Sequence, residues 1–353
     1  MISRKLFLWG VSLGILVWLI GRFLPMGDAI RAGLPSARMG EEVCETGRTV
    51  VNISVKNYLT VGENVQYVPD VPQRIAVVGS GEIETLLAFG AADRIVAAES
   101  WYPLEKFLRP EYRPLAKDLP TVPYGQISPE YLISLEPDLL VAQQCMFTDK
   151  RFISTEFWNR RGVVTFVPWN TNDPAGRVHS QESVESEMRF LYGLGQILQE
   201  EARAAQMIAD VYRTMDEIRA LSVRHPKQKV LVIEFMGKEI ASYDATRLAG
   251  DMVTRLGGEI PATAPMIDRE TLIAIDPDVL FVVCYGSEDA ARVVSRIQSD
   301  RSLNSLKVVK TKRICPLLLE YVYSPEVRTG DALKIIGHAL YPEEEEILAP
   351  QGI

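Results

Sequence analysis

One segment of the chain occurs twice, and this repeat constrains the fold more than any other feature. Residues 127–142 are ISPEYLISLEPDLLVA, and residues 267–282 are IDRETLIAIDPDVLFV. Seven of sixteen positions are identical in register, 140 residues apart. Each copy predicts a short helix, a Pro-Asp turn and a buried strand. A second correspondence pairs LLAFGAADRI at 86–95 with MVTRLGGEI at 252–260. The duplication predicts two similar α/β lobes.

Short apolar strands alternate with helices on both sides of the repeat, which is typical of parallel sheets. We place an N-terminal lobe at 72–181 and a C-terminal lobe at 225–353. Residues 182–224 between them are rich in helix formers and contain no proline. This segment predicts one long connecting helix, or two helices in series, with Gly193 and Gly195 as its weak points.

The N-terminus resembles an export signal. Basic residues in 1–5 precede the uncharged apolar stretch 6–21, and Arg22 ends that stretch. As a helix, such a stretch spans about 24 Å, which is short for a bilayer core of about 30 Å but suits a secretory signal. We therefore expect residues 1–22 to be an export signal, or an uncleaved signal anchor, followed by a spacer with a lead-in strand at 23–71. The remainder is expected outside the cytoplasmic membrane.

Charge and composition exclude several kinds of function. The net charge is −8 and the isoelectric point is about 5.2, so we expect no nucleic-acid partner. The three histidines lie far apart, which argues against a multi-histidine metal site. The four cysteines form no CxxC pair; Cys145, Cys284 and Cys315 are expected to be buried small apolar residues, although export leaves one disulfide open.

No recognisable catalytic constellation occurs in the sequence. GSGEIE at 79–84 lies between a strand and a helix, where a dinucleotide fingerprint would sit. However, Glu84 occupies the third glycine position, and its carboxylate would repel a pyrophosphate. No phosphate-binding loop, nucleophile elbow or HExxH motif is present. We expect no catalytic residue and no resident metal or cofactor.

Aromatic and polar side chains follow most of the predicted strands. Ligands of open α/β sheets bind beyond the carboxyl ends of the strands, and rings with hydroxyl or indole donors suit a bulky, partly polar ligand. Core packing is the alternative for each ring. The predicted ligand-binding residues are Glu99, Trp101, Tyr102, Tyr124, Gln144, Trp169, Tyr243, Met266, Tyr285 and Tyr321.

Two glutamates share one register of the repeat, Glu130 and Glu270, each in the first turn of a predicted helix. An acid at that position stabilises the helix dipole by about 0.3–1 kcal/mol without any partner. One acid per lobe is also a symmetric pattern for docking to a partner with two basic pockets. Both interpretations are open from the sequence alone.

Four segments together carry a resemblance to a known family. They are PQRIAVVGSGEIETLLAFGAADRIVA at 72–97, SPEYLISLEPDLLVA at 128–142, the helix-rich stretch 184–223, and RETLIAIDPDVLFV at 269–282. The chain resembles the solute-binding proteins of ABC importers for iron–siderophore complexes, haem and cobalamin. This resemblance implies two Rossmann-like lobes, a rigid connecting helix, a cleft between the lobes and small opening motions.

The same resemblance implies a partner and a ligand. Glu130 and Glu270 match the glutamates that meet arginines of the permease dimer, and Tyr124 matches a pocket aromatic, whereas Ala264 replaces its counterpart. The ligand is expected to be an iron chelate, a ferric siderophore first. Haem, with Tyr102 as candidate axial ligand, and cobalamin are alternatives, as is a tetrapyrrole enzyme on the same scaffold. If residues 6–21 are not cleaved, the protein is membrane-associated.

Overall fold

The computed structural model describes residues 51–56, 63–171 and 181–344. The predicted export segment at 1–22 and the fourth cysteine, Cys44, lie outside these ranges, so the fold does not address the export signal or a disulfide that involves Cys44. Within the described ranges, no helix is both long and apolar enough to cross a bilayer.

The N-terminal lobe contains a wholly parallel five-stranded sheet, as predicted. Its strands lie in the order β5-β4-β3-β6-β7. An antiparallel hairpin of β1 (Val51–Lys56) and β2 (Glu63–Val68) precedes it. The strands are β3 (Ile75–Val78), β4 (Ile95–Glu99), β5 (Thr121–Val122), β6 (Leu139–Ala142) and β7 (Val164–Phe166). The helices are α1 (Ser80–Ala88), α2 (Leu104–Phe107), α3 (Arg113–Ala116), α4 (Pro129–Leu135) and α5 (Thr155–Asn159).

Two helices follow this lobe and lead into the second one: α6 (Val184–Leu198) and α7 (Glu201–Leu221). The C-terminal lobe has strands β8 (Val230–Met236), β9 (Glu239–Ser242), β10 (Met266–Ile267), β11 (Val279–Cys284) and β12 (Ile314–Leu318). Its helices are α8 (Leu248–Arg255), α9 (Arg269–Ile275), α10 (Ser287–Ser299), α11 (Lys307–Thr311), α12 (Glu320–Tyr323) and α13 (Thr329–Leu340).

The C-terminal sheet is mixed rather than wholly parallel, which corrects one detail of the prediction. Its order is β10-β9-β8-β11-β12, and β9 pairs antiparallel with both of its neighbours. The two residues between β8 and β9 include Gly237 at φ +68°. A two-residue hairpin of this kind can only join antiparallel strands. The other pairs, β8 with β11 and β11 with β12, are parallel.

The connecting segment is two helices in series, and the break is not at its glycines. The break is at Gln199, whose left-handed conformation (φ +57°) ends α6. The helix α7 then spans the lobes: Ala204 packs in the N-terminal core and Leu221 in the C-terminal core. Gly193 and Gly195 instead allow close packing, because added Cβ atoms would lie 2.6 Å from the Phe166 ring and from the Ala204 Cβ, respectively.

We expect Gly195→Ala to destabilise the protein by about 1–3 kcal/mol, the usual effect of overpacking. The clash is with a Cβ atom on a neighbouring helix, which cannot rotate away. Gly330→Ala is the matched control, since an added Cβ in α13 would come no closer than 3.9 Å to Val211. That variant should be neutral or stabilising by up to about 1 kcal/mol. Urea unfolding measures both; equal effects of the two variants would contradict the packing role of Gly195.

The repeat has the same physical basis in both lobes. Ser128 and Asp268 cap α4 and α9, accepting hydrogen bonds from the backbone N–H groups of Tyr131 and Thr271. The residue after each helix, Glu136 or Asp276, is left-handed. The described repeats therefore share a cap, a helix, a turn and a strand.

The repeated Pro-Asp turn ties each helix to the neighbouring strand. The Asp138 carboxylate accepts from the backbone N–H groups of Gln73 (2.6 Å) and Arg74 (2.8 Å), directly before β3. Asp278 accepts from the Lys229 N–H (2.9 Å), directly before β8. The same Arg74 and Lys229 donate their side chains to the last carbonyls of α4 and α9. These contacts fix the helices that carry Glu130 and Glu270.

Candidate functional site

A cavity of about 300 Å³ lies between the two lobes. Its N-terminal wall comes from the residues that follow β3, β4 and β6, and its C-terminal wall from those that follow β11 and β12. The carboxyl ends of both sheets therefore face one another across a cleft, as the sequence predicts. The lining residues are Ser80, Gly81, Glu82, Trp101, Tyr102, Gln143, Cys145, Tyr285, Leu319, Glu320, Tyr323 and Ser324.

Three of the predicted ligand-binding residues, Trp101, Tyr102 and Tyr285, line this cleft. The Tyr285 ring is half-exposed, and its hydroxyl donates a hydrogen bond to Glu234. Partial burial and that hydrogen bond raise the pKa of Tyr285 to about 12. Burial, together with the charge of Glu320, also raises the pKa of Tyr102. Both hydroxyls therefore stay protonated at neutral pH, and the rings present neutral faces.

Two more predicted residues, Tyr243 and Met266, line a second cavity of about 310 Å³ within the C-terminal lobe. Glu234 borders it and links it to the cleft, since its carboxylate accepts from Tyr243 (2.5 Å) as well as from Tyr285. This hydrogen-bonded group fixes the orientation of the Tyr285 ring.

Tyr124 lies beside the cleft, on the loop that follows β5. Its ring is 54% exposed and packs against Trp101, with the ring centroids 5.6 Å apart. The buried Glu99 holds this loop: its carboxylate accepts from the backbone N–H groups of Gly125 (3.0 Å) and Ile127 (3.1 Å) and pairs with Arg151. Glu99 is thus placed to position Tyr124 rather than to contact a ligand.

The other three predicted residues lie outside the lining of both cavities. Gln144 is in a 3₁₀ turn (Gln144–Met146) whose neighbours face the cleft. Trp169 begins another such turn, with the Arg189 guanidinium 5.8 Å from its ring. Tyr321 is buried, and its hydroxyl accepts from Arg328 (3.2 Å). Because α12 is helical, Glu320 and Tyr323 share the face toward the cleft, whereas Tyr321 points into the core.

Cysteine placement corrects a further expectation. Cys284 is buried and Cys315 is half-buried, but Cys145 is exposed at the cleft. Cys145 follows β6 in the 3₁₀ turn rather than lying within the strand, which explains its exposure. All three are free thiols.

The first turn of α1 supplies cleft residues that the sequence analysis missed: Ser80, Gly81 and Glu82. The sequence pattern that could have indicated them is the strand–glycine–helix junction at 79–84, which was considered only as a possible phosphate-binding motif. Gly79 has φ +126°, and an added Cβ would lie 1.8 Å from Oε2 of Glu82. The glycine therefore leaves room for the Glu82 carboxyl to fold back over the backbone.

Three buried carboxyl groups meet where the lobes join: Glu82, Glu187 and Glu326. The Glu187 oxygens accept from Asn170 (2.6 Å) and from the backbone N–H of Glu326 (2.6 Å), and burial raises its pKa to about 7. Burial raises the pKa of Glu82 to about 8, and burial with two neighbouring carboxyls raises that of Glu326. Glu82 is therefore mainly protonated at neutral pH in the folded protein, whereas Glu187 titrates close to neutral pH.

Ion pairs also connect the lobes. Arg109 of the N-terminal lobe pairs with Asp331 of α13 (2.8 Å) and donates to the Val327 carbonyl (3.1 Å). The fully buried Glu84 lies between two guanidinium groups, 3.7 Å from Arg109 and 2.9 Å from Arg328. Moving the lobes apart would break these pairs and leave uncompensated buried charges. The pairs therefore favour a fixed arrangement of the two lobes.

A family profile described as periplasmic binding protein matches residues 75–317, more than two-thirds of the sequence. The chain belongs to the periplasmic binding protein family. The match runs from the first strand of the N-terminal lobe to the last strand of the C-terminal lobe, so it covers both walls of the cleft. A search of curated proteins gives no match.

Solved structures of this family are similar over most of the chain. A periplasmic binding protein from Veillonella parvula shares 26% identity at a TM-score of 0.78, covering 86% of this chain and 95% of that one. An Fe³⁺-hydroxamate transport protein from Saccharomonospora viridis shares 17% (TM-score 0.66; 82% and 98% covered). The haem-binding protein RhuT from Roseiflexus shares 20% (TM-score 0.58; 76% and 99% covered).

Periplasmic binding proteins are solute-binding components of transport systems rather than enzymes, and the cleft of this member fits that role. Its walls are mainly rings, hydroxyls and carboxyls. In the part of the chain that the structure describes, no group of three or more His, Cys, Asp or Glu side chains is placed to hold a metal ion.

Proposed function

We propose that this protein captures a metal chelate, first of all a ferric siderophore, outside the cytoplasmic membrane and delivers it to the permease of an ABC importer. The observation that carries the proposal is the aromatic cleft at the facing carboxyl ends of the two sheets, in a chain of this family. The names of similar structures support the ligand class: an Fe³⁺-hydroxamate system, a haem-binding protein, and the catecholate-siderophore binding protein VctP from Vibrio cholerae.

Rings on both walls supply the contact surface for the ligand in this proposal. Trp101 and Tyr102 face it from the N-terminal lobe, and Tyr285 and Tyr323 face it from the C-terminal lobe. Aromatic faces bury large apolar area while their polar edges stay hydrogen-bonded. Tyr124 extends this surface beside the cleft through its ring contact with Trp101. Tyr243 and Met266 line the second cavity, and Glu99 holds the loop that carries Tyr124.

Delivery depends on the two exposed glutamates of the repeat. Glu130 and Glu270 lie in the first turns of α4 and α9, and those helices begin at the carboxyl edges of their sheets. Neither carboxylate has a hydrogen bond or ion pair with any other residue that the structure describes. Each is free to pair with an arginine of a permease subunit.

In this proposal, residues 1–22 direct the protein across the cytoplasmic membrane. A basic start followed by an apolar stretch at 6–21 supports export across the cytoplasmic membrane, with membrane association if the segment is retained.

We expect a ferric siderophore, haem or cobalamin to bind the purified protein and quench its tryptophan fluorescence. Native mass spectrometry across a panel of these compounds identifies which one binds. Tyr124→Ala should weaken binding of that compound by about 1–3 kcal/mol if the ring packs on it. Tyr67→Ala is the matched control, because this tyrosine is 63% exposed on the β1–β2 hairpin. A panel without any binding compound would overturn the proposed function.

A further inference from the structure

The cleft contains two carboxyl groups and no basic side chain. Among its twelve lining residues, Glu82 and Glu320 are acidic, and none is Lys, Arg or His. The guanidinium groups nearby already have acidic partners: Arg151 pairs with Glu99, Arg247 with Glu182, and Arg328, which also acts on Glu320, with Glu84. None of the residues that line the cleft therefore offers a ligand a positive charge.

Two carboxyl oxygens at the cleft are buried without any partner: Oε1 of Glu82 and Oε2 of Glu320. Glu82 is only 1% exposed. Its buried neighbours differ, because both oxygens of Glu187 and both of Glu326 accept hydrogen bonds. Oε2 of Glu84 also accepts no hydrogen bond but lies 2.9 Å from the guanidinium of Arg328. Among these acids, the oxygens with neither a hydrogen-bond donor nor an ion pair within 4 Å belong to the two cleft residues.

A ligand with N–H or ammonium donors would satisfy these oxygens, and an ammonium group would also favour the ionised form of Glu82, which is protonated at neutral pH without a nearby cation. A buried acceptor without a donor is unfavourable, and a donor from the ligand removes that cost. An anionic ligand would lose its hydration on entry and gain no opposite charge from the lining. Burial raises the pKa of both carboxyls, and it outweighs the attraction of Arg328, which lowers the pKa of Glu320.

We infer that the cleft selects metal chelates that are neutral or positively charged and that present N–H donors to Glu82 and Glu320, and that it discriminates against polyanionic chelates. This inference rests on the proposed function and narrows its ligand class. Ferric tris-catecholates are strongly anionic and haem carries two propionate carboxylates, whereas hydroxamate chelates and corrinoids are neutral or cationic.

Probes that differ in charge test the inference directly. Ferrioxamine B carries a free ammonium group, and its N-acetyl derivative is the neutral match; aquacobalamin and cyanocobalamin form a second cationic and neutral pair. Ferric enterobactin and haem are the anionic probes. Calorimetric titration of the full chain should show tighter binding of the cationic or neutral chelates than of either anion. Tighter binding of an anion would overturn the inference while supporting the proposed function. Binding of no chelate would overturn the proposed function itself.

Glutamine variants show whether the two carboxyls cause the selection. In the pair of probes that binds, Glu82→Gln or Glu320→Gln should raise the dissociation constant of the cationic probe by about tenfold or more, because a hydrogen bond to a charged group is lost. The dissociation constant of the matched neutral probe should change by less than about threefold. Glu201→Gln, which changes an exposed acid of α7 outside the cleft, should change neither. Thermal melting checks each fold, and Glu320→Gln serves alone if Glu82→Gln does not fold. If the folded variants keep the wild-type ratio of affinities for the cationic and the neutral probe, these two residues do not cause the selection.

Discussion

The free energy of unfolding is expected to fall by several kcal/mol between pH 5 and pH 9. The folded-state pKa is raised from 4.5 to about 8 for Glu82 and to about 7 for Glu187, and it is also raised for Glu326. The stabilisation from their bound protons is fully present below the unfolded pKa, and it is lost as pH rises through the folded pKa. At about 1.4 kcal/mol per pH unit, Glu82 alone accounts for at most about 5 kcal/mol.

The environment of Glu82 explains why its pKa is raised in the folded protein. The groups that act on it are the Gln143 amide, the carboxyls of Glu187 and Glu326, and the more distant Cys145 and Tyr323. No cation is among them, so ionisation of Glu82 would place an uncompensated charge in the interior.

Urea unfolding at pH 5, 7 and 9 measures this dependence. Glu82→Gln replaces the protonated carboxyl by a neutral group of the same shape, so its stability should fall less with pH than that of the wild type. Glu130→Gln is the control, since that side chain is exposed and should leave the pH dependence unchanged. Stability that increases from pH 5 to pH 8 would show that the buried carboxyls are ionised in the folded protein.

The lobe architecture could be predicted from the sequence because the repeat contains its own local signals. Ser128 and Asp268 are helix caps, and the Pro-Asp turns lead into buried strands in both lobes. Such short-range signals act within a few residues and are legible without tertiary context. The antiparallel β9 was missed because its edge pairing depends on a two-residue turn inside an otherwise parallel pattern.

The site was predicted at the level of sheet edges but not of individual side chains. Parallel topology brings strand ends together, which placed Trp101, Tyr102 and Tyr285 at one cleft. Which residue faces the cleft after a strand depends on the helical phase of the next turn, and this separates Tyr323 from the buried Tyr321. The carboxyl of Glu82 was missed because its placement requires the unusual backbone of Gly79.

Cells carrying the double variant Glu130→Ala with Glu270→Ala are expected to lose uptake of the chelate. Each carboxylate would meet an arginine of a permease subunit in a charge-assisted pair. Truncating one partner of such a pair costs about 2–5 kcal/mol when the pair is buried in the complex. Two such losses at symmetric positions would prevent productive docking. The purified variant should bind its ligand normally, because both side chains are exposed and absent from the cleft lining.

A second double variant, Glu105→Ala with Glu201→Ala, provides the matched control. Both of these glutamates are exposed and lie in the first turns of other helices, outside the repeat. If Glu130 and Glu270 only stabilise helix dipoles, the two double variants should behave alike, with at most about 1 kcal/mol of stability lost per residue and uptake retained. If they dock, only the repeat variant loses uptake. Exchange of a glutamate with its permease arginine should restore uptake, because the opposite charges then meet again in reversed order.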